Sequence, residues 1–150
     1  MSFSLVIKPY ANPAHRAGVI ALWNDVFAYS AAHNRPALVI DKMMDTPEPL
    51  FFVAVADKVV VGTVMAGYDG HRGWIYSLCV SPDDRRQGIG TRLMAAAEEA
   101  LRFRGCVKIN LQIIAGNEDV VSFYSALGYS VEPRVSMGKR IETDHQLKQF

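Results

Sequence analysis

Hydrophobic and polar positions change their period several times along the 150 residues, and each change marks a predicted element. Residues 50–56 and 59–68 are two β-rich apolar runs separated by Asp57 and Lys58. They predict an antiparallel hairpin, although the turn has no glycine. Residues 74–80 form a third run of the same kind, so we expect a three-stranded meander.

Other stretches have the apolar spacing of amphipathic helices. Asn12 and the proline after it predict the start of a first helix, with Asn12 as its N-cap. A short helix is expected near residues 39–44, within an otherwise irregular connection. Residues 88–104 predict a long helix that stops at a glycine, and Asn117 is placed to cap a last helix.

Alternating patterns predict four more strands, at residues 3–8, 107–114, 129–134 and 136–142. Strands and helices therefore succeed one another along the whole chain, with no internal repeat and no low-complexity linker. We expect one mixed α/β domain that covers residues 1–150.

The charge and the cysteines of the sequence argue against several classes of function and location. The formal net charge is +1 and 21% of residues are charged, so no global field recruits nucleic acid or an anionic membrane. Cys79 and Cys106 form neither a CxxC pair nor a disulfide framework, which favours a reducing compartment and two buried thiols. Without a leader pattern or a long apolar run, the prediction is a cytoplasmic protein.

The most informative segment is residues 78–91, where an apolar strand ends, a polar loop follows and a glycine pair opens a helix. A helix start has unpaired N–H donors and the positive end of the macrodipole, and glycines let an anion approach the backbone. The pyrophosphate donors predicted from this physics are the N–H groups of Gln87, Gly88, Ile89, Gly90 and Thr91.

Spacing excludes two other glycine-rich sites. A dinucleotide fingerprint needs a third glycine where Leu93 stands, and the loop after the strand is too long. A P-loop needs a lysine after its last glycine, whereas Thr91 follows Gly90.

The remaining pattern is R-x-x-G-x-G, formed by Arg85, Gly88 and Gly90. A second motif lies further along the chain and consists of Asn117, Val120, Phe123, Tyr124, Gly128 and Tyr129. Over nearly the whole chain these motifs resemble the GNAT superfamily of acyl-CoA N-acyltransferases, with valine at 120 where alanine is usual. Residues 61–65 and 68–73 resemble a small bacterial branch of that family, typified by YpeA.

The resemblance implies a mixed, mostly antiparallel twisted sheet flanked by helices, with a splayed central parallel strand pair. The pantetheine of acetyl-CoA would fill the V-shaped gap, pairing with the main chain of Val80, while the Leu78 N–H holds the thioester carbonyl. The residues implied in cofactor binding are Leu78, Cys79, Val80, Arg85, Arg86, Gln87, Gly88, Ile89, Gly90, Thr91, Asn117 and Tyr124.

Catalytic roles implied by the resemblance fall on Tyr124, as proton donor to the leaving thiolate, and on Leu78, through its N–H. By periodicity alone Tyr124 is a core residue on an apolar helix face. The proton acceptor for the attacking amine stays open, and the candidates are Asp69, His71, Asp41 and Glu48. Asn110 and Gln112 could face substrate or solvent.

The predicted function is transfer of an acetyl group from acetyl-CoA to a primary amine by direct attack in a ternary complex. An acyl-enzyme on Cys79 is a minor alternative, and a catalytically silent CoA-binding regulatory module is the main one. The histidines are too scattered for metal-ligand spacing, so no metal is expected. Neither nucleic acid nor membrane is expected as a partner, a homodimer is an open alternative, and the acceptor pocket should involve residues 30–49 and the C-terminus.

Overall fold

A computed structural model of the chain describes residues 4–27 and 35–142. Its strands are β1 (Leu5–Pro9), β2 (Leu50–Ala56), β3 (Val59–Tyr68), β4 (Gly73–Val80) and β5 (Ile109–Asn110). Its helices are α1 (Arg16–Val26), α2 (Pro36–Met44), α3 (Ile89–Phe103) and α4 (Glu118–Ala126), and a 3₁₀ turn lies at Pro82–Asp84. The strands form one sheet in the order β1-β2-β3-β4-β5, antiparallel up to β4, with β5 parallel to β4. The mixed fold class is confirmed.

The sheet separates two apolar clusters, because successive side chains of a strand point to opposite faces. Val64 packs with Leu93 of α3 on one face, whereas its neighbour Met65 packs with Trp23 of α1 on the other. Helices α3 and α4 cover the first face, and α1 and α2 cover the second. The domain therefore has three layers, with the sheet between two pairs of helices.

The β2–β3 hairpin has the predicted bounds, and its turn is made by Asp57 and Lys58. Both residues have positive φ, 49° and 70°, as the two central residues of a type I′ turn require. The chain adopts this turn without glycine because its backbone twist matches the twist of the flanking strands.

The predicted start of the first helix was wrong. Helix α1 begins at Arg16, and His15 occupies its N-cap position without a side-chain capping bond. The Asn12 side chain instead accepts a hydrogen bond from the Tyr10 hydroxyl. Helix α2 is longer than predicted because Pro36 begins it, in a position where the missing N–H costs nothing.

The strands predicted at residues 129–134 and 136–142 were also wrong, since neither segment has a regular element in the structure. The strand predicted at residues 107–114 shortens to Ile109–Asn110. An alternating sequence gives a segment one apolar face, but a strand also needs a neighbouring strand to bond with. Strand β5 has only two residues and therefore offers almost no edge for such bonds. The parallel pair predicted at the centre of the sheet consequently lies at its edge within the described residues.

Side chains, rather than a main-chain ladder, join the segment after α4 to β5. Glu132 accepts hydrogen bonds from Lys108 at 2.6 Å and from the Asn110 side-chain amide at 2.7 Å. Gln112 donates a further hydrogen bond to Ser136. Asn110 and Gln112 thus contact the protein's own C-terminal segment.

Candidate functional site

Strand β4 carries a bulge at Ser77. Thr63 pairs with Cys79 and Met65 pairs with Tyr76, so one residue of β3 stands opposite two of β4. Ser77 has a φ of 50°, in the left-handed region, which costs a non-glycine residue about 1–3 kcal/mol. Such a conformation persists only where the surrounding structure stabilises it.

The bulge changes the face on which the end of β4 packs. Ile75 lies in the cluster with α3 and α4, and in a regular strand Cys79 would lie on the same face. Cys79 instead belongs to the cluster with α1 and α2, while Leu78 packs on the α3 side. Residues 77 and 78 are therefore the point at which the backbone of β4 is re-aimed.

One edge of β4 is open beyond its first two residues. Only Gly73 and Trp74 pair with β5, opposite Ile109 and Asn110. A Cβ at residue 73 would lie 2.9 Å from Cys106 Sγ, so a larger residue here would require the neighbouring side chains to shift. From residue 75 to 80 the described residues provide no strand partner on that side, because β5 ends at Asn110. The splay of the parallel pair that the resemblance implied stays a prediction.

The loop after β4 ends in a row of unpaired amides. The first helical bond of α3 is donated by Arg92 to the Gly88 carbonyl, at 3.0 Å. Within the described chain, no acceptor is bonded to the N–H groups of residues 88–91. Arg86 and Gly88 have φ values of 65° and 77°, and this alternation curves the backbone so that neighbouring N–H groups converge.

Gly90 is where β4, α3 and α4 meet. A Cβ at this position would lie 3.2 Å from the Phe123 ring and 3.8 Å from a Val80 methyl. The donor row, the end of β4 and Phe123 of α4 are therefore adjacent. Asn117 caps α4, its side-chain oxygen accepting from the Val120 N–H at 3.4 Å, and Thr91 is exposed in the first turn of α3.

Tyr124 on α4 is buried, and its ring contacts Phe123 and Tyr129 edge to face, with centroids 5.1 and 5.7 Å away. Burial raises the pKa of Tyr124 to about 12, so the phenol keeps its proton at neutral pH. Among the described residues its hydroxyl has no hydrogen-bond partner, yet the oxygen is not sealed from solvent. The Tyr129 hydroxyl, by contrast, donates to Glu98 at 3.0 Å, and burial raises its pKa.

The two arginines of the motif differ in their contacts. Arg85 donates from Nε to the carbonyl of Val80 at 3.2 Å and so ties the loop to the end of β4. Arg86 is exposed beside the donor row. In this structure Arg85 contacts the protein backbone, whereas the Arg86 side chain faces solvent.

Cys79 is 4% exposed, and burial raises the pKa of its thiol to about 12. A thiolate is the nucleophilic form of cysteine, and this environment disfavours it. Both cysteines are free and buried, as the sequence predicted.

We expect Cys79→Ala to keep kcat within about threefold of wild type, because no covalent step needs a buried neutral thiol. Mass spectrometry of the wild-type protein incubated with acetyl-CoA alone should show no acetylated form. An acetyl adduct that is lost in Cys79→Ala would instead establish an acyl-enzyme.

The candidate proton acceptors have structural partners. Asp41 forms a 2.6 Å ion pair with Arg16, which joins α2 to α1. Asp69 accepts from the His71 and Arg72 amides at 2.8 and 2.7 Å, and these bonds lower its pKa. The lowered pKa makes Asp69 a weaker base, so its contacts do not favour it as the acceptor. Asp41 is occupied by Arg16, and the acceptor stays open among the candidates.

A groove of about 1300 Å³ lies between the β5 segment and the segment after α4. It meets the predicted cofactor residues only at Tyr124, and Trp74, Asn110 and Gln112 also line it. The Asn110 side-chain oxygen is buried without a partner among the described residues.

Sequence patterns did not single out Thr63 or Trp23, which the structure connects to the bulge. Thr63 is fully buried in an otherwise apolar strand, and its hydroxyl bonds the Ser77 carbonyl at 2.8 Å. A lone hydroxyl in such an apolar run was the only signal available, because its partner Trp23 is 40 residues away in sequence.

Comparison with known proteins places the chain in a family. Residues 17–129 match the family described as Acetyltransferase (GNAT) family. The chain belongs to the GNAT acetyltransferase family. An acetyltransferase of Yersinia pestis (strain Pestoides F) is 37% identical over 113 residues, covering 75% of this chain and 80% of the relative. An acetyltransferase of Yersinia enterocolitica has the same identity and coverage.

Solved structures show the GNAT fold again. The aminoglycoside N-acetyltransferase AAC(6')-Iy in complex with CoA has a TM-score of 0.77 at 20% identity, covering 94% of this chain and 97% of its own. Glucosamine-6-phosphate N-acetyltransferase from Arabidopsis thaliana has a TM-score of 0.70 at 17% identity, and the match covers 93% of this chain and 99% of the Arabidopsis chain. The resemblance to the GNAT superfamily is confirmed, and the YpeA-like branch stays a prediction.

Two further findings concern residues 4–27 and 35–142. No group of three or more His, Cys, Asp or Glu side chains there is arranged to hold a metal ion. No helix there is long and apolar enough to cross a membrane. Residues 30–34 of the expected acceptor pocket lie outside the described chain.

Proposed function

We propose that this GNAT protein transfers the acetyl group of acetyl-CoA to a primary amine by direct attack in a ternary complex. The observation that carries the proposal is the row of unpaired N–H groups at residues 88–91, next to the open edge of β4. An array of main-chain donors at a helix start suits a diphosphate, and an unpaired strand edge suits the amides of pantetheine.

The proposed cofactor contacts follow from this arrangement. Gln87, Gly88, Ile89, Gly90 and Thr91 would hold the diphosphate, and Arg86 would add a cation beside it. Leu78, Cys79 and Val80 would pair with pantetheine through the main chain. Arg85 would act through its bond to the Val80 carbonyl, and Asn117 by capping the helix that carries Tyr124.

The reaction breaks the C–S bond of the thioester and forms a C–N bond. The amine attacks the carbonyl carbon, and charge builds on the oxygen, where the Leu78 N–H is proposed to donate. As the intermediate collapses, the thiolate leaves and takes a proton from the Tyr124 hydroxyl. The amine loses its proton to a base or water, and Tyr124 regains a proton from solvent, which leaves an amide, free CoA and the enzyme in its starting state.

Tyr124 suits the role of acid for two reasons. Its pKa of about 12 keeps it protonated, and its hydroxyl has no competing acceptor among the described residues. Tyr124 also lines the groove between the β5 segment and the segment after α4, where a ligand could meet it.

A thiol-release assay with an amine panel tests the proposal. Amino sugars come first, because the fold neighbours named above act on an aminoglycoside and on glucosamine 6-phosphate. Polyamines, a lysine peptide and a peptide N-terminus follow. We expect thiol release that requires an amine, with an equal amount of amide product detected by mass spectrometry.

The same assay addresses the alternative of a catalytically silent CoA-binding module. Binding of acetyl-CoA in calorimetry, without thiol release for any amine, would favour that alternative. Absence of binding by wild-type protein would contradict both functions.

A further inference from the structure

A buried hydrogen-bond chain runs from α1 to the bulge of β4. The Trp23 indole N–H donates to Thr63 Oγ1 at 2.9 Å, and Thr63 Oγ1 donates to the Ser77 carbonyl at 2.8 Å. Trp23 and Thr63 are both fully buried. An indole N–H can only donate a hydrogen bond, so the Thr63 oxygen must be the acceptor in its bond with Trp23. The hydroxyl proton of Thr63 is then available to bond the Ser77 carbonyl.

The planar peptide group connects this chain to the proposed site. The Ser77 carbonyl and the Leu78 N–H belong to one peptide unit, which is trans, so the two groups point in opposite directions. Thr63 lies on β3 and holds the carbonyl toward that strand. The Leu78 N–H therefore points away from the Thr63 hydroxyl.

The bulge needs such a partner. Ser77 has positive φ and is not glycine, so its backbone has more stable alternatives. A carbonyl that accepts a strong hydrogen bond also polarises its own peptide, which makes the N–H of that unit a better donor. One side chain thus both orients and strengthens the donor.

We infer that Thr63, held by Trp23, is a positioning residue that aims the Leu78 N–H at the thioester carbonyl. The inference rests on the proposed function. It assigns to two buried residues of the core an effect on turnover that is separate from cofactor binding, since neither lies among the residues proposed to contact CoA.

Thr63→Val tests the inference, because valine keeps the shape and removes the hydroxyl. We expect kcat to fall roughly tenfold to hundredfold, since complete loss of such a donor costs about 10²–10³. The acetyl-CoA dissociation constant, measured by calorimetry, should stay within about twofold. Thr63→Ser keeps the hydroxyl and should recover most of the rate.

A spectroscopic readout tests the donor directly and needs no acceptor amine. The infrared carbonyl band of bound [1-¹³C]acetyl-CoA should shift to lower frequency in wild type, because a hydrogen bond weakens the C=O bond. The shift should shrink in Thr63→Val and persist in Thr63→Ser. Trp23→Phe keeps an aromatic ring but removes the N–H that bonds Thr63. This variant provides the same test if Thr63→Val does not fold.

The outcomes separate this inference from the proposed function. If wild-type protein does not bind acetyl-CoA, the proposed function fails. If wild type binds and shows the shifted band, but Thr63→Val and Trp23→Phe keep both the shift and kcat, the positioning role is wrong. A lower melting temperature with unchanged kcat and band position would show a purely structural role.

Discussion

Replacing Tyr124 with phenylalanine is expected to lower kcat by about 10²–10⁴, the usual contribution of a positioned general acid. The thiolate of CoA would then leave without a proton donor. The dissociation constant for acetyl-CoA should change little, because the ring and its contacts with Phe123 and Tyr129 remain. Steady-state kinetics at saturating acetyl-CoA, with calorimetry for binding, measure the two effects separately.

Tyr129→Phe is the matched control, since it removes a hydroxyl from the neighbouring ring. That hydroxyl donates to Glu98, so the variant should lose roughly 1 kcal/mol of unfolding free energy and keep its turnover. Tyr124→Phe should show the reverse, because the lost hydroxyl has no partner among the described residues. Equal turnover in both variants would remove the acid role from Tyr124.

The pH profile gives a second check on the same residue. Burial raises the pKa of Tyr124, so its protonated form persists to higher pH than in an exposed tyrosine. No decrease in kcat due to this group is expected below about pH 10. An alkaline limb near neutrality that disappears in Tyr124→Phe would contradict the pKa and the mechanism together.

The sequence predicted those elements of the fold that depend on interactions between residues close together in the chain. The hairpin bounds at Leu50–Ala56 and Val59–Tyr68 follow from two apolar runs and a two-residue turn. The cap at Asn117 follows from a side chain that bonds its own helix. The glycine pair at the start of α3 was also readable, because unpaired amides at a helix start are a local property.

Non-local contacts decided the remainder. Nothing in residues 74–80 signals that Ser77 forms a bulge, since its carbonyl is held by Thr63 from the adjacent strand and Thr63 by Trp23 from α1. The alternating pattern after Tyr129 predicted strands that need a partner edge, and β5 provides only two residues. The glycine pattern therefore predicted unpaired amides at the start of α3, but no pattern predicted the bulge that re-aims β4.

Gly88→Ala is expected to raise the acetyl-CoA dissociation constant about tenfold, equivalent to about 1.4 kcal/mol. Gly88 stands at the N-cap of α3 with φ 77°, where an L side chain is strained by roughly 1–2 kcal/mol. Rotating residue 88 out of that region relieves the strain but turns the adjacent amides away from a common centre. Isothermal calorimetry with acetyl-CoA, and with CoA, measures the loss.

Gly105→Ala separates this effect from backbone strain alone. Gly105 follows the other end of α3 with φ 90°, and like Gly88 it has no heavy atom within 4 Å of an added Cβ. Both variants should therefore lose a similar unfolding free energy, about 1–2 kcal/mol, in denaturant titrations. Only Gly88→Ala should weaken acetyl-CoA binding, because only Gly88 lies in the donor row. Equal affinities in the two variants would mean that the diphosphate is held elsewhere.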